Sequence, residues 1–200
     1  IAALASGPAA PEQWGVATRR ADFFDAKADV EALLSPMRAG FERLDHPALH
    51  PGRSAAVIVD GKAIGLVGEL HPRWVQKYDL DAAPVVFELD LDAVLRQPLP
   101  AYQEVSRFPA VVRDLALVVA QEQSAQALLE GLIAVAPAFV REIVLFDLYH
   151  GKGVDPEKKS LAFRVVMQDT QKTLSDGEVE AAMVKMIEAA TQKFAAKLRS

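Results

Sequence analysis

The chain has 200 residues, about half of them apolar, which suffices for one large domain or two of about a hundred residues each. It holds no cysteine, which excludes disulfides, thiolate metal sites and a cysteine nucleophile and fits a cytoplasmic protein. The net charge of −5 lacks the basic footprint that phosphate binding normally leaves, so composition alone argues mildly against RNA. No apolar run approaches the roughly 20 residues of a membrane span, and the first residues have no basic n-region, so neither a membrane segment nor a signal peptide is expected. The lack of an initiating Met leads us to expect a piece of a longer protein.

Val30, Leu33, Leu34 and Met37 recur at helical spacing and predict an amphipathic helix over about 25–40, ending early near Leu34 because of Pro36. Two apolar runs, 55–59 and 63–67, joined by Asp60-Gly61, predict a β-hairpin. A short helix over 69–78 is entered through His71-Pro72, followed by a strand at 85–89 and a helical turn or two over 90–96. Pro98 and Pro100 mark an extended linker at 98–101 between a first domain, 1–97, and a second, 102–200.

In the second domain, 115–119 is nearly continuous apolar, as a buried strand should be. Ser124 caps a helix with Leu128, Leu129, Leu132 and Ile133 on one face. Strands follow at 140–149 and 160–167, and Ser175 with Glu178 fits a capping box opening a helix with Val179, Met183, Met186 or Ile187, and Ala190 inward. A last short strand is expected at 194–198. The order β-α-β-β-α-β reads as an α+β, ferredoxin-like (RRM-like) fold, which hosts RNA binders, metabolite sensors and enzymes alike.

Candidate chemistry is sparse. Glu42, His46 and His50 are spaced as three metal ligands on one helix would be, but Pro47 and Pro51 break such a helix, so capping or turn roles are expected and no metal site. His150-Gly-Lys-Gly153 precedes a strand, whereas a phosphate loop opens a helix. No nucleophile elbow or triad stands out, and no catalytic residue is assigned. Asp147 and Tyr149 alternate along one strand and share a face, with Phe146 and Leu148 on the other, taken as the helix-covered side. On the bare face of such a sheet a Tyr ring stacks on an unpaired base, while Asp and Ser read its edge and Ala leaves room for it. The residues alone leave open the plainer roles, a backbone cap for Asp147 and a half-buried strand aromatic for Tyr149.

Four segments, read together, go further: Val105 to Val119, with Arg113-Asp114-Leu-Ala116; Leu145-Phe-Asp147-Leu-Tyr149; Lys158-Lys159-Ser160-Leu-Ala; and Thr173-Leu-Ser175-Asp-Gly-Glu178. Their order and spacing resemble the anticodon-binding domain that ends the β subunit of bacterial phenylalanyl-tRNA synthetases. In the first half, Asp22-Phe-Phe-Asp25-Ala-Lys27, His50-Pro-Gly-Arg53 and Ile64-Gly-Leu-Val-Gly-Glu-Leu-His71-Pro72 look like the end of the same subunit's catalytic-like module. Ala28 stands where that family usually shows Gly.

The resemblance implies a partial class II synthetase-like α+β domain before the ferredoxin-like one, in a C-terminal piece of the subunit. It implies tRNA-Phe contacts at Ala116, Asp147, Tyr149 and Ser160, with Arg107, Arg113 and Lys159 as cations for phosphates, joined by Lys158 and Arg164; Arg113 has the alternative of pairing with Asp114 or a helix end. It implies an α subunit as partner in an α2β2 enzyme, which aminoacylates with ATP and magnesium while this stretch holds neither. The alternatives are a ferredoxin-like sensor of a small metabolite, favoured by the acidic charge, and a metal or hydrolytic enzyme using His46, His50 and His71.

Overall fold

The computed structural model describes residues 1–96, 98–99, 102 and 104–199. It divides into two compact units, Ile1–Ala101 and Tyr102–Ser200. Of the expected linker and domain edges, Gln97, Pro100, Ala101 and Ser200 lie outside the described residues.

The first unit is a five-stranded antiparallel sheet in the order β1-β5-β4-β3-β2, with β1 Ala2–Ala5, β2 Gly40–Arg43, β3 Leu49–Val59, β4 Lys62–Leu70 and β5 Val85–Leu89. Helix α1, Phe23–Leu34, ends at Leu34, the early end expected from Pro36. Its Ala26, Val30 and Leu34 are buried against Val57, Val67, Val85 and Phe87, the alternate residues of β3, β4 and β5. The hairpin turn falls on Asp60 and Gly61 at φ +49 and +74, the left-handed pair that a two-residue turn matching strand twist requires. Helix α2, Pro72–Lys77, begins later than predicted because Glu69 and Leu70 complete β4. Helix α3 is Leu91–Leu95, capped by Asp90. The strands β1 and β2 were not foreseen: each is a four-residue edge strand with too short a pattern to register.

The second unit follows the expected chain order: β6 Val111–Ala120, α4 Ala125–Val135, β7 Val140–Tyr149, β8 Lys158–Met167, α5 Asp176–Phe194 and β9 Lys197–Leu198. The sheet order β7-β8-β6-β9, all antiparallel, is the ferredoxin-like arrangement. Both helices pack on one face. Leu128 and Leu132 of α4, and Val179, Ala182, Met186 and Ala190 of α5, are buried against Leu115, Leu117, Val119, Leu161, Phe163, Val165 and Met167. Strand β6 is not buried throughout, as its apolar run suggested, since Ala116 and Val118 are only half-buried on the far face. On α4 the inward face is narrower than expected, because Leu129 is half-buried and Ile133 exposed. The last strand is shorter than 194–198, since α5 runs through Phe194 and Ala195, at φ +49, turns the chain before β9 starts.

Candidate nucleic-acid interface

Register decides which side chains share the helix-free face, because residues directly opposite on antiparallel strands project to the same side about 5 Å apart. Tyr149 of β7, Ser160 of β8 and Val118 of β6 form one row. Asp147, Ala162 and Ala116 form the adjacent row, roughly 7 Å along the strands. A third row holds Val144, Arg164 and Asp114. The four residues Ala116, Asp147, Tyr149 and Ser160 thus come from three strands onto two neighbouring rows of the bare face.

Strand β7 does not alternate cleanly. Its pairing with β8 shifts between Leu145 and Asp147, a bulge that leaves Phe146 as the additional residue. Phe146 is therefore not on the helix-covered side, where strict alternation put it. It is 49% exposed, and the Arg164 guanidinium sits 4.8 Å from its ring centroid. Leu148 is aligned with the covered side, opposite Leu161, but is 52% exposed, so the helices do not reach over this end of the edge strand. Arg164 also makes a two-point ion pair with Asp114, at 2.9 and 3.0 Å. That pairing, chiefly its hydrogen bonds, lowers the Asp114 carboxyl below its usual range and raises the guanidinium.

Three features shape the Tyr149 row. The phenol hydroxyl donates to the Lys152 carbonyl at 3.2 Å, which fixes the ring over the following loop. Gly151, at φ +152, accommodates it, because a Cβ there would lie 2.9 Å from the hydroxyl oxygen. The Arg199 guanidinium lies over the ring, 4.4 Å from its centroid. Arg199 follows β9 and Tyr149 ends β7, the two edges of the sheet, so their side chains meet above β6 and β8. Ser160, on β8 opposite Tyr149, is only 2% exposed. Asp147 is exposed, and its carboxylate makes no hydrogen bond or ion pair among the described residues. The arrangement offers one aromatic plane, one free acceptor and one partly covered hydroxyl, the groups an unpaired base needs for stacking and edge recognition.

Of the cations expected beside this patch, Arg113, Lys159 and Arg107 are placed elsewhere. Arg113 lies opposite Val165 and Lys159 opposite Val119, both in line with core positions, so register turns them to the helix-covered side. Arg113 donates to the Val112 carbonyl at 3.0 Å, whereas Asp114, its suggested partner, is held by Arg164. Arg107 is exposed in the segment before β6, which is pinned at the opposite end of the sheet by Ser106 donating to the Asp169 carbonyl and Gln168 to the Phe108 carbonyl. Lys158, opposite Ala120, keeps the face of Ser160 and pairs with Asp155 at 3.9 Å. Sequence reasoning missed Arg199 and Lys197. Only Lys197 lay within the expected strand at 194–198, and Arg199 follows it.

The histidines of the first unit take turn roles. His46, His50 and His71 each accept, at Nδ1, the backbone N–H two residues on, at 3.3, 3.0 and 3.1 Å. Glu42 lies in β2 and His50 in β3, so their spacing is not helical. Among the described residues no group of three metal-ligating side chains is gathered, and no helix is long and apolar enough to cross a membrane.

Two family descriptions match the chain, one for each unit. Residues 1–91 match the phenylalanyl-tRNA synthetase β-chain CLM domain, and residues 106–199 match the ferredoxin-fold anticodon-binding domain. The second unit is thus an anticodon-binding domain of the ferredoxin fold, which leaves the small-metabolite alternative without support. The chain is 57% identical over 199 residues to the phenylalanine–tRNA ligase β subunit of Aromatoleum aromaticum, covering 100% of this chain and 25% of that protein. The β subunit of Dechloromonas aromatica is likewise 57% identical over 200 residues, with the same coverage of 100% and 25%, and that of Chromobacterium violaceum 52% over 199 residues, again 100% and 25%. The chain belongs to the phenylalanine–tRNA ligase β-subunit family, and it spans about a quarter of the length of these relatives.

Proposed function

We propose that the helix-free face of the second unit recognises the anticodon of tRNA-Phe. Recognition there positions the tRNA for aminoacylation by an α subunit. The observation that carries this reading is the convergence of Ala116, Asp147, Tyr149 and Ser160 on two adjacent rows of the open face in a domain matched as anticodon-binding. Tyr149 supplies the stacking plane, Asp147 accepts from the N–H groups of a base edge, Ser160 adds a hydroxyl, and the small Ala116 lets the base lie close.

In this reading residues 1–97 are the end of a class II synthetase-like but non-catalytic module and 102–200 the anticodon-binding domain. The working enzyme is a cytoplasmic α2β2 assembly whose ATP and magnesium bind outside this stretch. We assign no catalytic residue to the chain. Labelled tRNA-Phe titrated into the protein at 0.05 and 0.15 M salt, with an anticodon-substituted tRNA as control, tests the reading. A preference for the native anticodon that persists at the higher salt supports it. Equal binding to both, vanishing with salt, marks simple phosphate attraction and overturns it.

A further inference from the structure

An RNA strand bound to an acidic chain needs local cations, because phosphate neutralisation supplies much of the affinity. The open face is short of them where sequence placed them. Arg164 is held at both ends of its fork by Asp114, Lys158 is paired with Asp155, and Arg113 and Lys159 project to the other side. The C-terminal strand makes up the deficit. Lys197 stands opposite Val118, and Arg199 donates its backbone N–H to the Ala116 carbonyl at 2.9 Å. Both side chains therefore fall on the face of Ala116 and Val118. Both are exposed, and neither forms an ion pair among the described residues.

We propose that Arg199 is an RNA-contacting residue of this face: its guanidinium covers the Tyr149 ring in the free protein, yields the ring to an unpaired base, and moves to a phosphate of the same strand. The proposal rests on the anticodon reading of the face. Its physical basis is a ranking of contacts. An exposed cation–π pair is weak enough for a stacking base to displace it. The planar guanidinium fork, once released, matches phosphate oxygens better than an ammonium would. The 4.4 Å ring contact places that fork at the edge of the stacking site before any ligand arrives.

The test uses a labelled tRNA-Phe anticodon stem-loop and four proteins: the unaltered chain, Arg199→Gln, Arg199→Lys and Tyr149→Ala. Arg199→Gln should weaken binding about fourfold at 0.15 M salt and about eightfold at 0.05 M, the worth of one phosphate contact on a single strand. The slope of log affinity against log salt should fall by about 0.7. Arg199→Lys should restore the slope. Arg199→Gln binding as well as the unaltered chain at both salts overturns the proposal, and tighter binding does so too, since the guanidinium would then only obstruct the ring. If Tyr149→Ala loses binding while Arg199→Gln does not, the anticodon reading stands and Arg199 has no part in it. If the unaltered chain does not distinguish native from substituted anticodon, the reading fails and this proposal with it.

Discussion

In the first unit the helix-free face of the sheet is built from half-buried Ala56, Ile58, Leu66 and Val86, with Leu4 on the edge strand and Glu88 beside it. The same side of the second unit's sheet carries Asp114, Ala116, Asp147, Tyr149, Ser160 and Arg164. Both sheets are antiparallel, and in both the core side is filled by alternate aliphatic residues packed on helices. Architecture therefore supplies an open face twice, and what the alternate positions display decides its use. Aliphatic side chains offer a base neither a flat ring nor an acceptor. An aromatic plane beside a free carboxylate and a hydroxyl offers both.

The largest expected effect lies on the side of β8 that faces the helices. Phe163 is fully buried beneath α4 and α5, next in sequence to Ala162 on the open face. Phe163→Ala should cost about 3–5 kcal/mol of stability, read from the urea midpoint, because it removes a ring and leaves a cavity. A loss below about 1 kcal/mol would mean that the helix-side core is not packed as described. On the opposite side the effect should be on binding. Tyr149→Ala should lower affinity for the anticodon loop by about 1–3 kcal/mol with little change in unfolding. Leu66→Ala, at the centre of the first unit's open face, should leave that affinity unchanged. Equal losses from both would erase the functional contrast between the faces.

The element order of the second unit was legible because its signals are local: apolar runs, a Ser124 cap, a capping box at Ser175 and Glu178. The face of Asp147 and Tyr149 was legible as well, because alternation holds from the bulge to the end of β7. The exposure of Phe146 was not, since a bulge is a pairing event between two strands and leaves no period in either. The misplaced cations are a different failure. Arg113 shares its parity with Leu115 and Leu117, and Lys159 with Leu161, so alternation already assigned them to the core side; nearness in sequence was mistaken for nearness on the face. Arg199 escaped notice because its role depends on β9 pairing with β6, a contact between residues far apart in the chain.

A smaller effect concerns the helices that define the covered faces, and here the two units use one device. In the first, Asp22 caps α1 and the Asp25 side chain returns to the Asp22 N–H. In the second, the Ser175 hydroxyl accepts from the Glu178 N–H and the Glu178 carboxylate accepts from the Ser175 N–H at 3.0 Å. Ser175→Ala should cost about 1 kcal/mol, seen as a lower urea midpoint. The same change should leave anticodon binding intact, because α5 lies on the far side of the sheet from Tyr149.

The smallest effect is one of pH. Hydrogen bonding to Lys172, then to Ser175, lowers the Glu178 carboxyl to about 2. Asp25 is likewise held well below the usual carboxylate range, first by its hydrogen bond from Arg19 and then by the backbone of Asp22. A carboxyl whose pKa is depressed on folding stabilises the fold above its unfolded value, about 4.3 for Glu, and the contribution is lost as pH falls through the folded value. Glu178→Gln keeps an acceptor for the cap and removes only the charge. The stability gap between the unaltered chain and this variant should be present at pH 7, shrink below about pH 4.3, and close near pH 2. Asp25→Asn should behave the same way for the first unit, since its carboxylate also answers both a cation and a helix N-terminus. Both groups are solvent-exposed, so the gaps should narrow in high salt. The absence of a gap at pH 7 would show that the cap works through its hydrogen bonds alone and that the paired cation contributes nothing.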